Sequence, residues 1–187
     1  MYKREKELLA HYNKNVNYAS VNVEKFFELF PEIDFKDKKI LDLGCGDGRF
    51  SQYLKIAFEA NPFGIDFSKE RIKKARVNSL GINYFCIDCY SYTESYLPEK
   101  WGKFDLVLMT EVIEHLEDPK RLSLALSKIS NAIFGSVPLN FPYVAHLQVF
   151  KNKTQFKKFF KEWNLKIKVI DKNIYFYGKL KKQYSKK

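Results

Sequence analysis

Lys39-Ile-Leu-Asp-Leu43 is a short apolar run that ends directly in Gly44-Cys-Gly-Asp-Gly48. An apolar run stopped by a glycine cluster reads as a buried strand and a sharp turn, and a helix follows from residue 49 to about 57. A buried strand feeding a crossover helix commits the chain to a parallel sheet with helices packed against it. The rest of the pattern repeats the unit. Strands are expected at 62–66, 82–87, 104–109 and 132–137. Helices are expected at 69–78, with Ser68 as N-cap, and at 119–129, where Leu122, Leu126 and Ile129 share a face. Phe156, Phe159 and Phe160 form the stripe of a helix over 153–163. Residues 165–170 and 174–180 alternate about Asp171-Lys-Asn173 and read as a hairpin. The fold class is α/β: a doubly wound, mostly parallel, Rossmann-like sheet with an antiparallel C-terminal hairpin.

The 187 residues suit one domain, 1–187, with an N-terminal helical segment at 1–37 (helices over 3–10 and 20–29) and a core at 38–187. Lys and Arg number 33 against 22 Asp and Glu, a formal charge of +11. Between Lys151 and Lys187 stand 13 basic residues and two acidic ones, so this stretch carries the whole excess. Three cysteines, Cys45, Cys86 and Cys89, form no disulfide framework, and the charged start has no apolar leader, so a reducing, cytoplasmic setting is expected. Cys86-Ile-Asp-Cys89 lacks a second pair and reads as two free thiols. No apolar run approaches the ~20 residues that span a bilayer, so no membrane insertion is expected.

An open parallel sheet binds ligands at the carboxyl ends of its strands, where Gly44, Gly46 and Gly48 fall. Their spacing differs from the dinucleotide fingerprint, and Asp47 would repel a pyrophosphate there. A nucleoside whose sugar carries a cationic group suits the loop better. Asp66 ends the second strand, where a carboxylate accepts from vicinal ribose hydroxyls, and Asp88 after the third can meet an adenine edge.

These stretches resemble the class I S-adenosylmethionine-dependent methyltransferases: ILDLGCGDGRFS (40–51), GIDFSKERIKKAR (64–76), FCIDC (85–89) and FDLVLMTEVIEHLEDP (104–119). SVPLNFP with the following HLQVF is also similar to that family's fifth strand and the segment after it. The resemblance implies a seven-stranded sheet with a reversed last hairpin, and S-adenosyl-L-methionine as cofactor. It places Gly44, Gly46 and Gly48 against the methionine part, Asp42 at the amino end, Asp66 on the ribose and Asp88 on the adenine, with Glu111 beside them. It also implies that the N-terminal segment, with Tyr12 and Tyr18, helps form the acceptor pocket. One departure is Ile129-Ser-Asn-Ala132, which replaces the family's Pro-Gly-Gly turn.

A hydroxyl acceptor must lose its proton, and His115 with Glu111 stands just past the fourth strand to do it. Small-molecule O-methylation without a metal is one reading. Another is metal-assisted: Glu111, Glu114, His115 and His146 resemble the metal site of small-RNA 3′-terminal 2′-O-methyltransferases, the first three sharing one helical turn. RNA would then meet the basic C-terminal lobe. A non-catalytic, cofactor-binding subunit is a third reading. His11 lies apart in the N-terminal segment.

Overall fold

The computed structural model describes residues 23–79, 81–94 and 101–181. The elements run α1 (Val23–Glu28), β1 (Lys39–Leu43), α2 (Arg49–Phe58), β2 (Asn61–Asp66), α3 (Lys69–Asn78), β3 (Asn83–Cys86), α4 (Cys89–Glu94) and β4 (Leu106–Thr110). A 3-10 turn (Ile113–His115), α5 (Pro119–Ile129), β5 (Ala132–Pro138), α6 (Lys153–Lys157), β6 (Trp163–Ile170) and β7 (Asn173–Leu180) follow. The helix expected over 3–10, together with His11, Tyr12 and Tyr18, lies outside the described residues.

One seven-stranded sheet has the order β3-β2-β1-β4-β5-β7-β6. β1 pairs in parallel with β2 on one side and with β4 on the other, so the strand order reverses at β1. β7 enters antiparallel between β5 and β6 and closes the hairpin expected from the sequence. Asp171 takes a φ of 52° in its two-residue turn, and Ile170 faces Asn173 across it.

Strand alternation sorts the core into two layers. Ile40, Leu106, Leu108, Phe134 and Tyr177 face Phe26 and Phe27 of α1 and Phe50 and Leu54 of α2. Leu41, Leu43, Val107, Met109 and Ile133 face Leu122, Leu126 and Ile129 of α5 and Phe156 of α6. Helices therefore cover both sides of a parallel sheet, as its continuous apolar strands require. Ile72 and Ala75 of α3 close a smaller cluster with Cys45 and Tyr84. At the centre, Gly135 of β5 has no room for a β-carbon, which would overlap the Met109 carbonyl oxygen.

Local chemistry explains most boundaries. Ser68 caps α3 by accepting from Arg71 N at 3.3 Å, and Asp118 caps α5 by accepting from Arg121 N. Where Ile129-Ser-Asn-Ala132 replaces glycines, the Ser130 hydroxyl supplies the turn's hydrogen bonds, donating to Ala132 O at 2.8 Å and accepting from Ala132 N.

The segment after β3 forms α4, because Asp88 Oδ1 accepts from both Tyr90 N and Ser91 N and so starts a helix whose Tyr92 is buried. Two expectations need correction. The helix over 153–163 stops at Lys157, since Trp163 is drawn into β6 opposite Leu180, where its indole N–H donates to Ser123. Glu111, Glu114 and His115 do not share a helical turn. Glu111 is left-handed at φ 54°, and only residues 113–115 coil, as a 3-10 turn.

Phe134 is the hinge of the first layer: its ring stacks on Phe26 at 4.3 Å and meets Phe30 edge-on at 5.7 Å. Phe134→Ala is expected to cost about 3–5 kcal/mol, read as a lower midpoint in urea unfolding, as for other large cavities.

Candidate active site

The glycine turn begins where β1 ends, and β2 holds it in place. The Ile65 carbonyl accepts from Gly44 N at 2.8 Å and from Cys45 N at 2.9 Å. Gly44 (φ 77°) and Gly48 (φ 84°) occupy the left-handed region, and a β-carbon on Gly44 would also overlap Val112. Asp66 continues the brace. Its Oδ2 accepts from Gly46 N at 2.9 Å and its Oδ1 from Ser68 N at 2.8 Å, which ties the turn to the start of α3. Asp47 does not project unpaired charge. Burial opposes its ionisation, yet the two hydrogen bonds from Arg49 hold its carboxyl below the usual range.

The structure gathers Asp42, Asp47, Asp66 and Glu111 on the strand ends and turns around the point where the strand order reverses, with Asp88 beyond β3. Asp42 is completely buried. Its Oδ2 accepts from Ser51 Oγ at 2.5 Å, while Oδ1 has no hydrogen-bond partner among the described groups. Burial, reinforced by the charges of Asp66 and Asp47, pushes its carboxyl up to about 7 against the pull of Ser51. Burial also raises the Asp66 carboxyl. Asp88 is exposed and spends Oδ1 on capping α4. A convergence of carboxylates with an orphaned buried oxygen fits a ligand bearing a cation and sugar hydroxyls, as S-adenosylmethionine does.

The second half of the site is the turn after β4, joined to the loop 139–150. Leu147 N and Gln148 N both donate to the Glu114 carbonyl, and Gln148 Nε2 donates to Leu116 O. This stitching brings distant His146 to His115, with ring centroids 5.0 Å apart. His115 Nδ1 lies 2.9 Å from Ala145 O and His146 Nδ1 2.9 Å from Phe141 O. A carbonyl only accepts, so each ring carries a proton on Nδ1. Glu114 is fully buried with neither carboxylate oxygen hydrogen-bonded, and His115 Nε2 stands 3.7 Å from Oε1. Burial and the neighbouring Glu111 raise the Glu114 carboxyl well above its usual range. One donor atom each from Glu114, His115 and His146 lies within 4.8 Å of the others. Glu111 is not in that group; its Oε1 accepts from Ser136 Oγ at 2.8 Å.

Sequence reasoning missed Ser51 and Ser136, which orient Asp42 and Glu111, because each sits in an apolar segment as an ordinary small residue. It also missed Phe141 and Tyr143, stacked at 6.1 Å beside His146 and both exposed. An apolar pair in an irregular loop carries no periodicity to find it by.

A raised carboxyl has a stability consequence. The folded protein keeps a proton on Asp42 that an unfolded chain, with the ordinary value of 3.8, has released, so stability from this group falls as pH rises from about 4 to about 7. Asp42→Asn removes that slope. In thermal unfolding without cofactor, the variant is expected to melt above the native protein at pH 8 and level with it at pH 4.

Comparison with known proteins identifies this geometry. Residues 11–168 match the family model described as a methyltransferase domain. The ubiquinone biosynthesis O-methyltransferase of Bordetella pertussis is 32% identical over 154 residues, covering 65% of this chain and 62% of that protein. The protein of the same name from Chromobacterium violaceum is 34% identical over 96 residues, which cover 49% of this chain and 39% of the relative. The matched part thus spans less than two thirds of the length of these relatives. Among solved structures, the magnesium protoporphyrin IX methyltransferase from Synechocystis with bound S-adenosylmethionine aligns with a TM-score of 0.68 at 14% identity, covering 97% of this chain and 99% of that one. An S-adenosylmethionine-dependent methyltransferase from Clostridium acetobutylicum aligns with a TM-score of 0.67 at 16% identity, covering 94% and 98%. With its sheet order, glycine turn and family match in agreement, this chain belongs to the class I S-adenosylmethionine-dependent methyltransferase family.

Proposed function

We propose that the chain transfers a methyl group to an oxygen of a small-molecule acceptor. The observation that carries this reading is His115. Its Nδ1 donates to the Ala145 carbonyl of the loop 139–150, which orients the ring in the turn after β4, and in this reading Nε2 acts as the base. The name shared by the curated relatives, an O-methyltransferase of ubiquinone biosynthesis, supports oxygen as the acceptor atom.

In this reading Gly44, Gly46 and Gly48 accommodate the methionine part of the cofactor, and Asp42 Oδ1 faces its amino group. Asp66 holds the ribose hydroxyls with the lone pairs its two backbone donors leave over, and Asp88 meets the adenine. Bound S-adenosylmethionine supplies an electrophilic methyl carbon on a sulfonium leaving group. His115 Nε2 takes the proton of the acceptor hydroxyl as its oxygen attacks. Glu111, oriented by Ser136, lies at the same strand end and stabilises the charged imidazole and the cofactor's cation. Holding acceptor and methyl carbon in line is worth ~7–11 kcal/mol, and the proton transfer a further ~10²–10⁴-fold. In this reading 1–187 stays a single domain, with the N-terminal segment 1–37 contributing to the acceptor pocket.

Calorimetry should show S-adenosylmethionine binding that weakens about 10- to 150-fold in Asp66→Ala, the loss of a charged hydrogen-bond acceptor of ~1.5–3 kcal/mol. Undiminished affinity would remove the ribose assignment. With catechol-type acceptors, His115→Ala is expected to lower kcat by ~10²–10⁴-fold while cofactor affinity holds. An equal fall in both would place His115 in binding instead.

A second, metal-assisted reading is favoured by one observation, the buried Glu114 carboxyl, without a hydrogen bond to either oxygen, grouped with the imidazoles of His115 and His146. Glu114, His115 and His146 are a donor set for Mn²⁺ or Mg²⁺, which would polarise neighbouring hydroxyls of the acceptor, such as those of a terminal ribose. Titration with MnCl₂ should then show saturable binding that His146→Ala abolishes. Activity indifferent to chelator and to that substitution would discard the metal.

A further inference from the structure

The sheet bears a second concave surface, at the end away from the glycine turn. β5 leaves the sheet at the active end, where Pro138 pairs with Asn173, and β7 runs back to Leu180 opposite Trp163. Seven strand steps of ~3.4 Å place these two ends about 24 Å apart. At the far end lies a groove of about 900 Å³ lined by Lys157, Lys161, Lys166, Lys179 and Lys181, with Glu32 as its one carboxylate. Topology explains the convergence. Asn164, Lys166 and Lys168 of β6 share a sheet face with Tyr175, Tyr177 and Lys179 of β7. The chain around α1 covers this face as far as Tyr177, whose ring lies 6.1 Å from Phe30, and the strand ends beyond it stay bare. Lys157 and Lys161 line the same groove from the α6 segment, whose Phe156 and Phe160 pack in the other layer.

Five lysines against one glutamate give this lining a net +4, and the Lys166–Glu32 pair at 2.8 Å is a surface pair of small worth. From Lys181 to the level of Lys166, opposite Tyr177, four strand steps spread the charge over about 14 Å, more than one phosphate can answer. Stacked nucleic acid carries one phosphate per ~3.4 Å of strand, so several fall within that length. The aromatic residues of the groove, Phe160, Trp163 and Tyr177, are only 1%, 3% and 6% exposed, which leaves no ring among the described lining residues on which a base could stack. Ammonium groups on flexible stems meet phosphates as point charges without reading sequence.

We propose that this groove binds the phosphodiester backbone of single-stranded nucleic acid, as a docking surface separate from the methyl-transfer site. The test uses the full chain and a fluorescently labelled 20-nucleotide oligouridylate, followed by anisotropy at 50 and 200 mM KCl. With three to four phosphates engaged, affinity is expected to fall roughly 20- to 50-fold between the two salts. The double variant Lys161→Glu/Lys179→Glu should bind at least 10-fold more weakly at 50 mM, with an unchanged S-adenosylmethionine affinity showing that it is folded. If that variant loses the cofactor as well, Lys157→Gln/Lys179→Gln takes its place. The matching oligothymidylate shows whether ribose matters, and binding of either chain through the groove supports the proposal. No binding at 50 mM, equal binding by the groove variants, or displacement of the oligonucleotide by polyglutamate at equal charge would each overturn it. So would loss of binding confined to a variant with Lys182, Lys186 and Lys187 changed to Gln.

Discussion

The carbonyl of Ile65 and the carboxylate of Asp66 hold the cofactor side of the site together. Between them they accept from Gly44, Cys45, Gly46 and Ser68, so the end of β2 fixes both the glycine turn after β1 and the first turn of α3. Left-handed glycines alone would leave that loop free to sample many shapes. Four backbone donors satisfied by one strand end make it a single shape, and the acidic side chains are aimed by it. The same carboxylate has lone pairs remaining for ribose hydroxyls, so bracing and binding are compatible at Asp66.

The acceptor side is organised by a different bond set. Two amides of the loop 139–150 converge on the Glu114 carbonyl, and the imidazoles of His115 and His146 are each oriented by a backbone carbonyl from that loop. The backbone thus decides which ring nitrogen is available for chemistry. Half-buried Glu111 and fully buried Glu114 both have carboxyls raised by desolvation, a common condition of catalytic acids and bases and of metal ligands alike. Their environments differ. Glu111 has a hydroxyl partner and Glu114 has none, so only the first is oriented by a side-chain hydrogen bond.

The uneven charge of the chain acquires a location in the fold. Lys157, Lys161, Lys166, Lys179 and Lys181 of the C-terminal stretch line the far end of β6 and β7, while Asp42, Asp66 and Glu111 lie at the opposite strand ends. A cationic cofactor is served by the acidic end. The two signs are kept apart by the length of the strands, so neither field cancels the other at a Debye length of ~8 Å.

Much of this was legible from local pattern. The strand–glycine–helix unit, the cap at Ser68 and the hairpin at Asp171 are settled within a few residues by steric and hydrogen-bonding rules, and the acidic residues follow strands that periodicity reveals. The length of α6 was not legible, because Trp163 belongs to a strand only once Leu180 and Ser123 are beside it. The grouping of Glu114 with His146, 32 residues apart, was reached through a resemblance, but the departure of Glu111 from it to Ser136 was not legible. By itself the sequence determined the fold class, the cofactor loop and the family. Tertiary structure decided which buried carboxyl oxygens lack a hydrogen bond, which histidine nitrogens meet backbone carbonyls and where five of the lysines meet, because those properties depend on contacts between segments distant along the chain.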